Sequence, residues 1–150
     1  MTKEKFNEVI NFAINGEEEA VKFYQKLQQR TKFKARKEML KDLENMEMGH
    51  IVILENIRSK GMKDVTVKKV INLNISEYVV DIVPYDNMTY QDILIIAMKK
   101  EEQAVNLYTD LAGNFPGTEL ETLFLKLAAE EIGHKLQFET LYDEHVLREN

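Results

Sequence analysis

The chain has 150 residues, 44% hydrophobic and 31% charged, with a net charge of −6 and no cysteine. That length suits one domain with its own core. The missing thiols exclude disulfides, thiolate zinc sites and iron–sulfur ligation by these residues, and the acidic balance argues against a nucleic-acid surface. No run approaches the roughly 18 apolar residues of a membrane span, and Met1-Thr2-Lys3-Glu4-Lys5-Phe6 is not followed by the apolar stretch of a signal peptide. The expectation is a soluble, cytoplasmic protein, with no membrane or nucleic-acid partner.

Proline occurs only at 84 and 116, while Glu, Lys, Leu and Met are plentiful, a mixture that favours helix. The first helix is expected over about 2–30. It carries Phe6, Ile10, Ala13, Glu17, Ala20, Tyr24 and Leu27, alternating steps of four and three that put all seven on one face. After a turn around Thr31 to Ala35, a second helix over about 35–60 aligns Leu40, Leu43, Glu47, His50, Leu54 and Ile57.

The stretch from Gly61 to Asn87 is rich in β-branched residues and has no sustained helical stripe. It is long enough to run the length of a bundle, and is read as a crossover (about 61–88) with short helical pieces rather than as a small β-hairpin. The lysines at 60, 63, 68 and 69 read as a solvated face.

A third helix over about 89–113, capped by Thr89, carries Tyr90, Leu94, Ala97, Glu101, Ala104, Tyr108 and Leu111. Pro116-Gly117-Thr118 interrupts the chain. A fourth helix over about 118–147, with Thr118 and Glu121 placed for a capping box, aligns Phe124, Leu127, Glu131, His134, Phe138 and Leu141. These seams describe an all-α four-helix bundle with helices crossing near 20°.

Sliding the sequence along itself by 84 residues superposes the two halves. Glu17 falls on Glu101, Tyr24 on Tyr108, Glu47 on Glu131, and Gly49-His50 on Gly133-His134. Each half therefore places one Glu thirty residues before a Glu-x-x-His. A duplicated two-helix hairpin accounts for this.

Four glutamates and two histidines thus occupy positions that spacing assigns to the interior. A buried ionised carboxylate costs several kcal/mol unless it is paired or metal-bound, and four at one level would repel one another. Two divalent cations would cancel that charge and bring the net charge from −6 to −2. Glu and His at i and i+3 share a helical face, so Glu47 with His50, and Glu131 with His134, can each reach one ion. One Glu from each of two helices, with a Glu-x-x-His from each of the other two, is the arrangement of ferritin-like di-iron and di-manganese proteins. Glu17, Glu47, His50, Glu101, Glu131 and His134 are accordingly the expected metal ligands. Tyr24 and Tyr108, two turns after their glutamates, are expected to hydrogen-bond ligand carboxylates. Glu18, Glu19, Glu102 and Glu130 read as solvent-facing, Glu44 as lying at the seam's edge with support of a metal ligand as its lesser alternative, Met46 and Met48 as packing, and His145 as structural.

The segments Glu17–Tyr24, Glu47–His50, Glu101–Tyr108 and Glu131–His134 resemble the rubrerythrin branch of the ferritin-like superfamily. The resemblance implies Glu47 and Glu131 as bridging ligands, His50 and His134 as terminal ones, and two iron ions as cofactor, with manganese or zinc as alternatives. It implies an oxidoreductase acting on hydrogen peroxide or O2, or alternatively a non-cage ferroxidase or iron-handling protein, or a metal-binding bundle without turnover. Members commonly carry a cysteine-ligated rubredoxin domain; here an external donor, such as a separate rubredoxin-type protein, is expected instead, and a homodimer with it. A further family glutamate, about a turn after the third helix's first ligand Glu101, has no counterpart at the nearby Gln103 or Ala104.

Overall fold

The computed structural model describes residues 1–61, 73–80 and 88–149. Four helices carry the fold: α1 (Lys3–Arg30), α2 (Lys34–Lys60), α3 (Tyr90–Gly113) and α4 (Glu119–Glu149). α1 packs on α2 and α3 on α4, and the two hairpins meet along α1 and α3. This is the expected all-α bundle with a long connection between its second and third helices.

Local chemistry sets the helix ends. The Thr2 hydroxyl accepts the Lys5 N–H at the start of α1. Thr89 accepts the Asp92 N–H at 3.0 Å while the Asp92 carboxylate accepts the Thr89 N–H, a reciprocal capping box. α4 begins beyond Thr118, whose hydroxyl accepts the Glu121 N–H at 3.4 Å and donates to the Phe115 carbonyl at 2.7 Å. Gly117 in that turn and Gly61 after α2 take φ of +76° and +66°, which side chains with a Cβ rarely adopt.

Two apolar clusters fill the bundle, one on each side of a polar layer. The first gathers Phe6, Ile10, Leu54, Ile57, Leu107, Leu111, Phe115 and Phe124. The second gathers Ala20, Tyr24, Leu27, Leu40, Leu43, Leu94, Ala97, Phe138 and Leu141. On every helix the change from one cluster to the other brackets one of the buried glutamates at 17, 47, 101 and 131. The polar layer is therefore held by core packing above and below.

Of the expected crossover, residues 73–80 are described. They contain one short 3-10 turn, Ile75–Tyr78. Leu73 and Tyr78 are buried in the first cluster, and the Tyr78 hydroxyl donates to Asp110 Oδ2 on α3 at 2.5 Å. The segment thus lies against the bundle through an apolar anchor and a hydrogen bond. The remainder of the crossover, with the lysines at 63, 68 and 69, lies outside the described residues. No helix among the described residues is long and apolar enough to cross a membrane.

Because the Thr89 hydroxyl accepts the Asp92 N–H and so supplies one half of the capping box, Thr89→Ala is expected to destabilise the protein by about 1 kcal/mol. Urea unfolding measures it, and an unchanged midpoint would contradict the role given to this cap.

Candidate metal centre

Glu17 on α1, Glu47 and His50 on α2, Glu101 on α3, and Glu131 and His134 on α4 converge in the polar layer. None is more than 3% exposed. The donor atoms fall into two overlapping groups, Glu17–Glu47–His50–Glu131 and Glu47–Glu101–Glu131–His134, each with its atoms within 4.8 Å of one another. Glu47 and Glu131 belong to both groups. The structure thus brings together all six residues that the sequence singles out.

The imidazoles approach the layer through Nδ1. His50 Nδ1 lies 2.8 Å from Glu131 Oε1, 3.5 Å from Glu17 Oε1 and 3.9 Å from Glu47 Oε1. His134 Nδ1 lies 2.6 Å from Glu47 Oε1, 3.4 Å from Glu131 Oε2 and 3.8 Å from Glu101 Oε2. The rings are nearly parallel, 15° apart with centroids separated by 6.0 Å. This is the two-fold relation of the halves expressed in three dimensions.

A metal fits this donor set better than hydrogen bonding does. Glu17 Oε2, Glu47 Oε1, Glu101 Oε2, Glu131 Oε2 and His134 Nδ1 are buried without a hydrogen-bond partner. An orphaned buried polar atom costs about 1–3 kcal/mol and more when charged, so five at one place favour a bound cation over a purely structural cluster. His134 Nδ1 and Glu47 Oε1 are close yet not aligned for a hydrogen bond, as two donors directed at a common third point would be. Carboxylate oxygen and imidazole nitrogen without sulfur suit iron, manganese or zinc.

The electrostatics give the same picture. Burial, reinforced by the charge of Glu131, holds the Glu17 carboxyl up at about 7. Burial and the Glu131 carboxylate likewise raise Glu101 well above the ordinary range. Burial would raise Glu131 too, but the adjoining Glu101 carboxyl and the His134 and His50 imidazoles pull it far below. Burial works against a charge on His50, and the Glu131 and Glu17 carboxylates overcome it to hold the imidazole at about 10. Protons therefore stand in for cations in this layer, and a metal would displace them.

The tyrosines differ from one another. The Tyr108 hydroxyl donates to Glu17 Oε1 at 2.5 Å, across the bundle from α3 to α1. Tyr24 was expected to do the same for a ligand carboxylate, and it does not. Its hydroxyl is buried without a partner, its ring lies against Phe138 at 5.2 Å, and Glu101 Oε2 lies 3.8 Å from His134 Nδ1.

Three more expectations change. Glu130, read as solvent-facing, is half-buried, and its carboxylate accepts from His50 Nε2. Met46 does more than pack: its sulfur lies 3.4 Å from His134 Nε2. Glu44 is buried but lies outside both donor groups, bonded to Lys41 Nζ at 2.5 Å and to Gln28 at 3.3 Å. Glu18, Glu19 and Glu102 are exposed as expected, and the His145 ring packs against Tyr90 at 5.1 Å.

A cavity of about 300 Å³ opens onto the layer between α1 and α3. Glu17, Glu47, Glu101 and Glu131 form its polar wall, small residues (Ala13, Gly16, Ala20, Ala104) leave the space, and Tyr78 to Val80 of the crossover border it. Gln103 also lines it, so the positions where the resemblance implies a further glutamate face this cavity without a carboxylate.

Comparison with known proteins agrees with this geometry. Residues 92–150, the second hairpin, match the family model for rubrerythrin. A solved structure, a hypothetical protein from Pyrococcus furiosus, is similar over 92% of this chain and 88% of that one, with a TM-score of 0.69 and 28% identity. No curated protein sequence matches the chain.

The raised groups set a pH dependence. For Glu17 and Glu101 the protonated form is favoured by folding. Their contribution is full below the ordinary carboxylate value of 4.5 and, for Glu17, is lost as pH rises through about 7. The His50 contribution is full below 6.5 and is lost as pH rises through about 10. Glu131 acts oppositely, but only below about 4.5. The metal-free protein should therefore lose stability between about pH 5 and about pH 8, while the stabilisation by added metal grows over the same range. Thermal unfolding with chelator or with metal measures both; a metal-free Tm rising across that range would contradict the electrostatics described.

Proposed function

We propose, from a rubrerythrin-family match over the second hairpin and a repeated hairpin that completes the same donor set, that this chain is a di-iron-carboxylate oxidoreductase. Its substrate is hydrogen peroxide or O2. The observation that carries this reading is the pair of overlapping donor groups sharing Glu47 and Glu131, beside a cavity large enough for a small oxidant.

In this reading Glu17 and His50 would hold one metal ion and Glu101 and His134 the other, with Glu47 and Glu131 available to both. When bound there, ferrous ions would supply the two electrons that, with two protons, take hydrogen peroxide to water or O2 to peroxide. The chain's own part is to place and insulate. The apolar clusters on both sides of the layer exclude bulk water and fix the four helices' spacing. Tyr108 holds the Glu17 carboxylate in one orientation at the cavity wall. The cavity's small side chains keep the approach to the layer open.

Electrons for repeated turnover come, in the same proposal, from a separate donor such as a rubredoxin-type protein, since these 150 residues hold no cysteine to ligate such a centre. A homodimer is also part of it: Val52 on α2 and Leu125, Ile132 and Leu136 on α4 leave apolar surface exposed. A second reading, iron oxidation and handling without catalytic turnover, is favoured by one observation. Gln103 and Ala104 line the cavity where the family's further carboxylate is expected.

Anaerobic loading with Fe(II) followed by peroxide or O2 tests the proposal. Two ions per chain should bind, and one of the oxidants should give rapid oxidation with a ferric absorption band. Glu47→Ala, which removes a donor from both groups, should lower metal occupancy and slow oxidation by about tenfold or more. Sustained consumption of oxidant with an added reductant supports the enzyme; a single oxidation that cannot be repeated supports iron handling. Fewer than one ion per chain in the wild type would sink both.

A further inference from the structure

The two halves of the metal layer repeat in their ligands but not in what lies behind them. The outer nitrogen of each imidazole, Nε2, faces away from the donor cluster and meets a residue of the opposite hairpin. His50 Nε2 meets the Glu130 carboxylate, and His134 Nε2 meets the Met46 sulfur at 3.4 Å. At the offset of 84 residues that relates the halves, position 46 corresponds to position 130. Equivalent sites in the duplicated hairpins thus hold a strong anionic acceptor in one half and a weak, neutral one in the other.

We infer that Glu130 and Met46 make the two metal positions unequal, with the position completed by His50 the tighter. The inference rests on the two-metal reading above. A carboxylate accepting the Nε2 proton fixes the imidazole tautomer, so that Nδ1 presents its lone pair to the layer, and it makes that nitrogen a better donor. A thioether accepts only weakly. The His134 ring therefore has less to hold its tautomer or to increase its basicity. Outer partners of this kind change metal affinity by about 10–100-fold. Glu130 keeps about a quarter of its side chain exposed (27%), so solvent screening moderates its charge while the hydrogen bond itself remains. Glu130 and Met46 are positioning residues: each acts through a histidine and lies outside both donor groups.

Unequal steps in a titration would not suffice as a test, because a first bound cation repels a second even at identical positions. The substitutions distinguish the cases. Metal-free protein is titrated with Co(II) against a chromophoric chelator, giving two dissociation constants per chain. Glu130→Met, which makes the halves alike, should weaken the tighter step about 10–100-fold and leave the weaker within about threefold. Glu130→Gln keeps a neutral acceptor and should lose less. Met46→Glu should strengthen the weaker step by a comparable factor. In His134→Ala the tighter step should persist, and in His50→Ala it should disappear. Thermal unfolding of the metal-free Glu130 variants checks that the bundle is intact. Equal changes in both steps, or no change in either, would overturn the inference while leaving the two-metal reading standing. Fewer than two Co(II) ions on the wild type would overturn both.

Discussion

Four carboxylates are buried at one level of this bundle, and the rest of the structure is arranged around that fact. Left ionised and alone they would repel one another in a region with little water to screen them, at a cost of several kcal/mol each. The two imidazoles cannot neutralise four negative charges, and the raised carboxyl groups of Glu17 and Glu101 show the protonation that follows when nothing else does. Two divalent cations would match the charge of the four glutamates, and the five unpartnered donor atoms lie where they would be used. The apolar clusters on either side then act as a frame: they hold the layer's geometry whether protons or metals occupy it.

Much of this was legible in the sequence because the ligands lie on the same seams as the core. Steps of three and four that align Leu43 with Leu54 also align Glu47 and His50, so the spacing that locates a helix face locates the donors. The 84-residue repeat then turns two common four-residue patterns, Glu47–His50 and Glu131–His134, into one constellation. The helix ends were readable for a different reason, since Thr89 and Gly117 carry local chemistry that needs no tertiary information.

What spacing could not supply was contact between helices. Glu130 lies one position before Glu131, off the seam, and nothing within α4 reveals that a histidine of α2 passes beside it. Met46 escaped for the same reason. The signal available was the repeat itself: positions 46 and 130 correspond but differ in chemistry, next to ligands that do not differ. Tyr24 shows the converse. Its repeat partner Tyr108 bonds Glu17, yet Tyr24 packs on Phe138 and leaves its hydroxyl unpartnered, because equivalent sequence positions need not make equivalent contacts once the surroundings have diverged.

In the proposed centre Glu47 and Glu131, which belong to both donor groups, would each serve two metal ions. A crystal structure of the iron-loaded protein with anomalous diffraction at the iron edge measures this directly. The account predicts two anomalous peaks within the bundle, about 3.5–4 Å apart, one beside His50 Nδ1 and the other beside His134 Nδ1, with both glutamates between them. A single peak, or peaks only at the protein surface, would contradict it.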